Sequence, residues 1–185
     1  MQNLRQQLKS LLNPSIDGKE NKPRVAIIGI GSDLRGDDAA GLLALNHLQK
    51  KILLRKRKAG RRPPAAPFHM HCLEFFNGGT APENLTGEIR RFCPTHLIML
   101  DAVDLGKRPG AIALIDVAKD ENRVFLTHKL PVKLMLDYMS RDMNFTPVFL
   151  GIQPKNLEFG AEVSRSVALS CERLANMLAE LLAKW

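Results

Sequence analysis

The sequence predicts a single α/β domain with three layers, in which helices cover both faces of an open, mostly parallel sheet of about five strands. Short apolar runs rich in β-branched residues alternate with segments of helical periodicity, which is the pattern of an α/β fold. The 185 residues are enough for one domain with a proper core. Apolar residues make up 45% of the chain and charged residues 25%, as in ordinary globular proteins.

Five apolar runs predict the strands of this sheet. They span residues 25–30, 69–76, 96–100, 110–117 and 148–150. The first and third runs are apolar at successive positions, which predicts strands buried on both faces. The link between the third and fourth runs is too short for a helical crossover, so we expect the fourth strand to run antiparallel.

Helices are expected after most of these strands, at residues 38 to about 50, 82–93 and 131 to about 143. A final amphipathic helix is the clearest of them. One face of it carries Val163, Val167, Cys171, Leu174, Leu178 and Leu181. We treat residues 1–185 as one domain, in which residues 1–22 are an N-terminal extension. Glycine and three prolines in the stretch 51–67 predict a basic loop insertion.

The positive charge of the chain has a local origin. The formal net charge is +8, and residues 50–62 contain eight lysines and arginines with no acidic residue. Outside that stretch the formal charges cancel. A nucleic-acid-binding patch is one interpretation of such a stretch. We favour a solvated insertion and expect no nucleic-acid partner.

Cysteine usage and hydropathy predict a cytoplasmic protein without membrane insertion. The three cysteines Cys72, Cys93 and Cys171 show no CxxC spacing, which argues against a disulfide framework and suits a reducing compartment. No apolar run approaches the ~18 residues that span a bilayer. The first residues also lack the apolar segment and small-residue cleavage site of a signal peptide.

Three polar stretches are expected at one edge of the sheet, beyond the carboxyl ends of the strands, where open α/β sheets carry their sites. Asp37 and Asp38 follow the first strand, Asp101 follows the third, and His128 lies just before Pro131. Carboxylates near a sheet centre are partly desolvated, which is costly without a partner. A metal cation bound by one aspartate from each of the first two stretches and by the histidine of the third would offset that cost and favour their ligating protonation states.

Each of these residues also has a simpler interpretation. Asp37 or Asp38 would suit the N-cap of the following helix. Asp101 would suit a turn in which it accepts hydrogen bonds from backbone amides, and His128 an exposed loop. Their joint placement at one edge favours a site, but the spacing alone does not decide between the interpretations.

Other chemistries fit the sequence less well. The glycines of GIGSDLRG lack the GxGxxG spacing, and Lys50-Lys51 stand where a ribose-binding acid is expected. The cysteines are not placed beside a base, because Cys72 is expected in a strand, Cys93 precedes a proline and Cys171 faces a helix core. GxSxG is absent as well. A nucleotide-binding α/β module and a nucleic-acid-binding accessory protein are the alternatives.

Five segments resemble, in order and spacing, the hydrogenase maturation endopeptidases, and the closest type is the hydrogenase 3-like one. The match extends over about residues 24–155. The segments are GIGSDLRGDDAAG at 29–41, NGGTAPEN at 77–84, LIMLDAVDLGKRPG at 97–110, LTHKLPV at 126–132 and VFLGIQP at 148–154. The resemblance implies a cytoplasmic protease whose partner is the precursor of a [NiFe] hydrogenase large subunit, from which it removes a C-terminal extension after nickel insertion.

The resemblance also implies site residues. The second aspartate of GDD, the aspartate at the end of the central strand and the histidine before the proline are the metal contacts of the family, which here are Asp38, Asp101 and His128. The cofactor implied is nickel supplied by the substrate, with another divalent metal in the resting enzyme left open. The attacking water is activated either by the metal or by a carboxylate, and Asp38 is the expected catalytic residue; the sequence does not decide between the two. The chain departs from the family at Ala39, where glycine is common, and at Asn77, where aspartate is frequent.

Overall fold

A computed structural model describes residues 2–12, 23–58, 72–116 and 130–184 of the chain. Its five strands form one sheet in the order β2-β1-β3-β5-β4. Four strands are mutually parallel and β4 runs antiparallel to β5, so the predicted α/β fold is confirmed. The strands are β1 (Val25–Ile30), β2 (Leu73–Gly79), β3 (His96–Ala102), β4 (Ile112–Ile115) and β5 (Thr146–Ile152).

The described residues form five α-helices beside the sheet. They are α1 (Gln2–Leu11), α2 (Ala40–Lys58), α3 (Thr86–Phe92), α4 (Leu130–Met139) and α5 (Arg165–Leu181). Short 3₁₀ turns at Gly36–Ala39 and Pro82–Leu85 precede α2 and α3. The Gly36–Ala39 turn, here called the GDD turn, places both aspartates ahead of α2 rather than inside it.

The core has two parts, one on each face of the sheet. Every residue of β1 and β3 is buried, as expected for central strands covered on both sides. Val25 and Ile27 of β1 pack with α1, α2 and α5. Ala26, Ile28 and Ile30 of the same strand pack with α3 and α4, because successive side chains of a strand point to opposite faces.

The prediction that α2 ends near Lys50 is wrong. The helix continues to Lys58, so residues 51–58 of the predicted loop are helical, and residues 59–67 lie outside the described part of the chain. Packing against α5 accounts for the longer helix. Ile52 is buried, Lys51 forms an ion pair with Glu172, and the Arg55 guanidinium donates a hydrogen bond to the carbonyl of Ala179.

The N-terminal extension contributes to the core through α1. Leu4, Leu8 and Leu12 are buried in the same cluster as α2 and α5. Arg5 forms an ion pair with Glu180 of α5, with 2.8 Å between the charged atoms. Residues 13–22 of the predicted extension lie outside the described residues.

The predicted bounds of the second strand, residues 69–76, differ from the structure at both ends. Residues 69–71 lie outside the described part of the chain. Cys72 lies in a turn before β2, and Asn77, Gly78 and Gly79 belong to the strand, although the strand was expected to end at Phe76. Pairing with β1 extends the strand, since Asn77 pairs with Gly29 and Gly79 with Ile30. A partner strand overrides the weak local preference of Asn and Gly for strands.

Candidate functional site

Of the two aspartates predicted as metal ligands, one follows β1 and the other lies near the end of the adjacent parallel strand β3. Gly29 of β1 pairs with Leu100 of β3, so both strands end at the same edge of the sheet. Asp38 follows β1 in the GDD turn, and Asp101 is the second-to-last residue of β3. Asp38 is 7% exposed and Asp101 4% exposed. Two nearly buried carboxyl groups therefore lie at the carboxyl edge of the central strands, as predicted.

Close backbone approach places the GDD turn against this edge. Gly31 has φ +129°, and a Cβ on it would overlap the carbonyl oxygen of Asp38. A side chain at this position would therefore be strained and would displace the turn. Gly31 therefore allows close backbone packing between the end of β1 and the GDD turn.

The side chain of Asp38 turns back toward the chain that precedes it. Its Oδ2 accepts a hydrogen bond of 2.9 Å from the amide of Ser32. Because α2 begins at Ala40, neither Asp37 nor Asp38 occupies its N-cap position, and the capping interpretation is wrong. The Ser32 amide therefore holds the Asp38 carboxylate in a defined orientation.

Asp37 serves a different purpose from its neighbour. It is fully buried, and its carboxylate accepts hydrogen bonds from the amides of Lys155, Asn156 and Ser164 at 2.7, 3.0 and 2.6 Å. These amides belong to the segment 153–164, here called the β5–α5 segment. The sequence did not predict this role, because the amides that bind Asp37 lie more than 100 residues further along the chain.

The position of Asp101 excludes the turn interpretation. The residue lies within β3 and pairs with Gly151 of β5. It therefore lies at the centre of the sheet, with paired strands on both sides of β3. Such a position desolvates a carboxylate, which then requires a polar or charged partner.

The third predicted ligand, His128, lies outside the described residues. The structure thus places Asp38 and Asp101 at one edge and leaves the three-residue metal site as a prediction. Within residues 2–12, 23–58, 72–116 and 130–184 there is no group of three His, Cys, Asp or Glu residues arranged to hold a metal ion.

Gln153 organises the loop that follows β3 and was also missed. Its side-chain oxygen accepts hydrogen bonds from the amides of Leu105 and Lys107 at 2.6 and 3.1 Å. Its side-chain nitrogen donates to Asp104 at 3.2 Å. Gln153 belongs to the VFLGIQP segment, which contributed to the family resemblance, but no role was predicted for this residue. The β5–α5 segment therefore contacts both the loop after β1 and the loop after β3.

The cysteines are not catalytic nucleophiles at this edge. Burial, together with the negative charge of Asp37, raises the pKa of the Cys171 thiol to about 12, and the thiol donates a hydrogen bond to the carbonyl of Ala40. A thiol with such a pKa stays protonated at neutral pH and is a poor nucleophile. Cys72 and Cys93 precede the starts of β2 and β3, at the opposite edge of the sheet.

The described helices do not include one that is long and apolar enough to cross a bilayer.

A cavity of about 440 Å³ lies near the amino ends of the parallel strands, bordered by Leu11, Ile115, Leu136 and Pro147. It is at the far edge from Asp38 and Asp101 and does not mark their site.

The fold is a three-layer α/β domain whose candidate site lies beyond the carboxyl ends of the central strands. The family model for hydrogenase maturation protease (HycI) matches residues 64–181. The chain belongs to the hydrogenase maturation protease family. It is therefore a protease of the maturation type, which confirms the resemblance of the sequence motifs.

Individual relatives agree with this assignment. The hydrogenase 3 maturation protease of Escherichia coli is 34% identical over 135 residues, covering 72% of this chain and 74% of its own. A relative from Methanocaldococcus jannaschii is 30% identical over 167 residues, covering 90% of this chain and 93% of its own. The crystal structure of the [NiFe] hydrogenase maturation protease HycI of Thermococcus kodakarensis has a TM-score of 0.74 and 28% identity, and the match covers 95% of this chain and 98% of that one.

Proposed function

We propose that this protease removes the C-terminal extension of a [NiFe] hydrogenase large-subunit precursor after nickel insertion, and that it recognises the precursor through the bound nickel. The observation that carries the proposal is the pair Asp38 and Asp101, nearly buried at the ends of adjacent parallel strands. A cation offsets the cost of burying two carboxylates that lie so close to the sheet centre.

The nickel in this proposal belongs to the substrate. Asp38, Asp101 and His128 supply two carboxylates and one imidazole, a donor set that suits nickel and other divalent transition metals. Three protein ligands leave positions for groups of the precursor and for water. Docking of the ion therefore reports that the precursor is loaded and brings the scissile peptide to the carboxyl edge of the sheet.

We assign the catalytic role to Asp38, as the general base that takes a proton from the attacking water. The described cysteines are unsuited to nucleophilic catalysis, so hydrolysis proceeds by direct attack of water on the peptide carbonyl. The amide of Ser32 holds the Asp38 carboxylate in one orientation, which a base needs in order to reach the same water in every turnover. The protease is in this sense aspartic in type and dependent on the metal of its substrate.

We place the reaction in the cytoplasm. Cys72, Cys93 and Cys171 are free thiols, as expected for a protein that works in a reducing compartment. The proposed partner is the large-subunit precursor, without a nucleic-acid partner.

Nickel recognition is tested with purified precursor in nickel-loaded and nickel-free forms. Each form is incubated with the protein, and the mass of the large subunit is measured over time. We expect the loaded form to lose its C-terminal extension and the free form to remain intact. Equal cleavage of both forms would refute nickel recognition, and cleavage of neither would refute the proteolytic assignment for that precursor.

A further inference from the structure

We propose that Asp37 is a positioning residue that fixes Asp38 by clamping the GDD turn to the β5–α5 segment. The inference rests on the proposed function of Asp38, which it deepens by adding a second residue to the machinery. It divides the two aspartates of the motif between a structural clamp and a catalytic group.

Both carboxylate oxygens of Asp37 accept hydrogen bonds from backbone amides. Oδ2 accepts from the amides of Lys155 and Asn156, and Oδ1 accepts from the amide of Ser164. The side chain is 0% exposed. A buried carboxylate is expensive to desolvate, and three short bonds from backbone amides are the kind of compensation that makes its burial tolerable.

Backbone hydrogen bonds extend the clamp along both segments. The amide of Asp37 donates to the carbonyl of Asn156 at 2.8 Å, and the amide of Gly36 donates to Ala161 at 3.1 Å. In the other direction, the amide of Gly160 donates to Leu34 at 2.8 Å. The loop after β1 and the β5–α5 segment are therefore one hydrogen-bonded unit, with the Asp37 carboxylate at its buried centre.

The clamp acts on Asp38 through the geometry of the GDD turn. Asp38 is the next residue of the same 3₁₀ turn, and its carboxylate orientation depends on the bond from Ser32. If the turn loosens, the distance between Ser32 and Asp38 is no longer held. A displacement of 1 Å at a catalytic group costs on the order of 10²-fold in rate, so a small loss of clamping has a large effect on turnover.

The test compares Asp37→Asn with the unchanged protein, using the Ser32 amide as a reporter that does not depend on activity. In the variant an NH₂ group replaces one acceptor oxygen and faces an amide donor. We expect hydrogen exchange of the Ser32, Lys155, Asn156 and Ser164 amides to accelerate by about tenfold or more, with the amides of β3 still protected. The single-turnover rate constant for cleavage of nickel-loaded precursor should fall by about 10- to 100-fold. The KM measured in the steady state should not change.

Leu8→Ala is the matched control for a general loss of stability. Leu8 is buried in α1, away from the clamp, so this variant should lower the melting temperature while the Ser32 amide and the cleavage rate keep their values. Should Leu8→Ala slow cleavage as much as Asp37→Asn at an equal melting temperature, the role of Asp37 would be merely structural and the proposal would be overturned.

Asp37→Ser is the second variant, for the case in which Asp37→Asn does not fold. Its hydroxyl keeps one acceptor and carries no charge, so we expect an intermediate acceleration of exchange at Ser32. Unfolding of both variants, or unchanged Ser32 exchange in a folded one, overturns the positioning role. Failure of the proposed function is distinguishable, because it would appear as absent cleavage by the unchanged protein, whereas the exchange experiment reports on the clamp regardless.

Discussion

Gly41, the second residue of α2, lies directly against the backbone carbonyl oxygen of Leu100 in β3. A Cβ on Gly41 would overlap this oxygen and also the carbonyl oxygen of Ile30 at the end of β1. The first turn of α2 therefore sits against the ends of both central strands. This contact brings the GDD turn beside Asp101, the residue that follows Leu100.

Gly41→Ala tests this contact. The added methyl group has no space, so we expect α2 to shift at its start, a loss of about 1–3 kcal/mol in the free energy of unfolding and a cleavage rate reduced by about tenfold or more. Chemical denaturation and the precursor assay measure the two effects. Gly87→Ala is the control, since a Cβ on Gly87 of α3 meets no atom within 4 Å. If Gly41→Ala behaves like Gly87→Ala, the close approach does not position the site.

Asp38→Asn should abolish most of the activity. Loss of a general base costs about 10²- to 10⁴-fold, and the uncharged amide is also a poorer metal ligand. The cleavage rate of nickel-loaded precursor is the measurement, and circular dichroism checks that the fold is retained. Turnover at the normal rate by a folded Asp38→Asn variant would remove Asp38 from the catalytic site.

Cys171 should resist alkylation in the native protein. Burial and the Asp37 charge raise the pKa of its thiol to about 12, so only about 10⁻⁴ of it is ionised at pH 8. We expect iodoacetamide to modify the exposed Cys93 first and Cys171 only after unfolding, as followed by peptide mass spectrometry. Because the pKa of Cys171 is higher in the folded chain than its ordinary value of 9.0, the free energy of unfolding should fall as the pH rises above 9. In that range the unfolded chain releases a proton that the folded chain retains. Labelling of native Cys171 as fast as Cys93 would contradict this assignment.

Acid should destabilise the fold through His96. Burial lowers the pKa of this imidazole from 6.5, more than an interaction with the backbone of Leu11 raises it. Below pH 6.5 the unfolded chain therefore binds a proton more readily than the folded one, so the free energy of unfolding falls as the pH falls. Urea titrations between pH 8 and 5.5 measure this slope. In His96→Gln the slope should be shallower, and an unchanged slope would assign the acid sensitivity to other groups.

The basic half of α2 should be dispensable for cleavage. Lys50 and Arg57 are exposed there, and the helix extends about 27 Å from its start beside the site to Lys58. We expect Lys50→Gln and Arg57→Gln, alone or combined, to process nickel-loaded precursor within twofold of the normal rate. A tenfold rise in KM would show that this end of the helix contacts the precursor. DNA binding that weakens in these variants would instead favour the nucleic-acid alternative.

Most of the fold could be predicted because its signals are local. The continuous apolar runs at 25–30 and 96–100 identified the central strands, and the short link near Pro109 identified the antiparallel one. Since parallel strands end at a common edge, the same pattern also placed Asp38 and Asp101 together. The length of α2 could not be predicted, because residues 51–58 are stabilised as a helix by contacts with α5, which follows more than 100 residues later.

The sequence by itself determined which residue types meet at the carboxyl edge, since strand periodicity and the order of the elements are encoded in neighbouring residues. Its local pattern assigned no separate role to Asp37, because Asp37 and Asp38 are identical side chains at successive positions. Only the tertiary structure separated them, because the amides that bind Asp37 lie 118 to 127 residues further along the chain. Hydrogen bonds over such separations form only when the folded sheet brings the GDD turn and the β5–α5 segment together. No local sequence pattern predicts them.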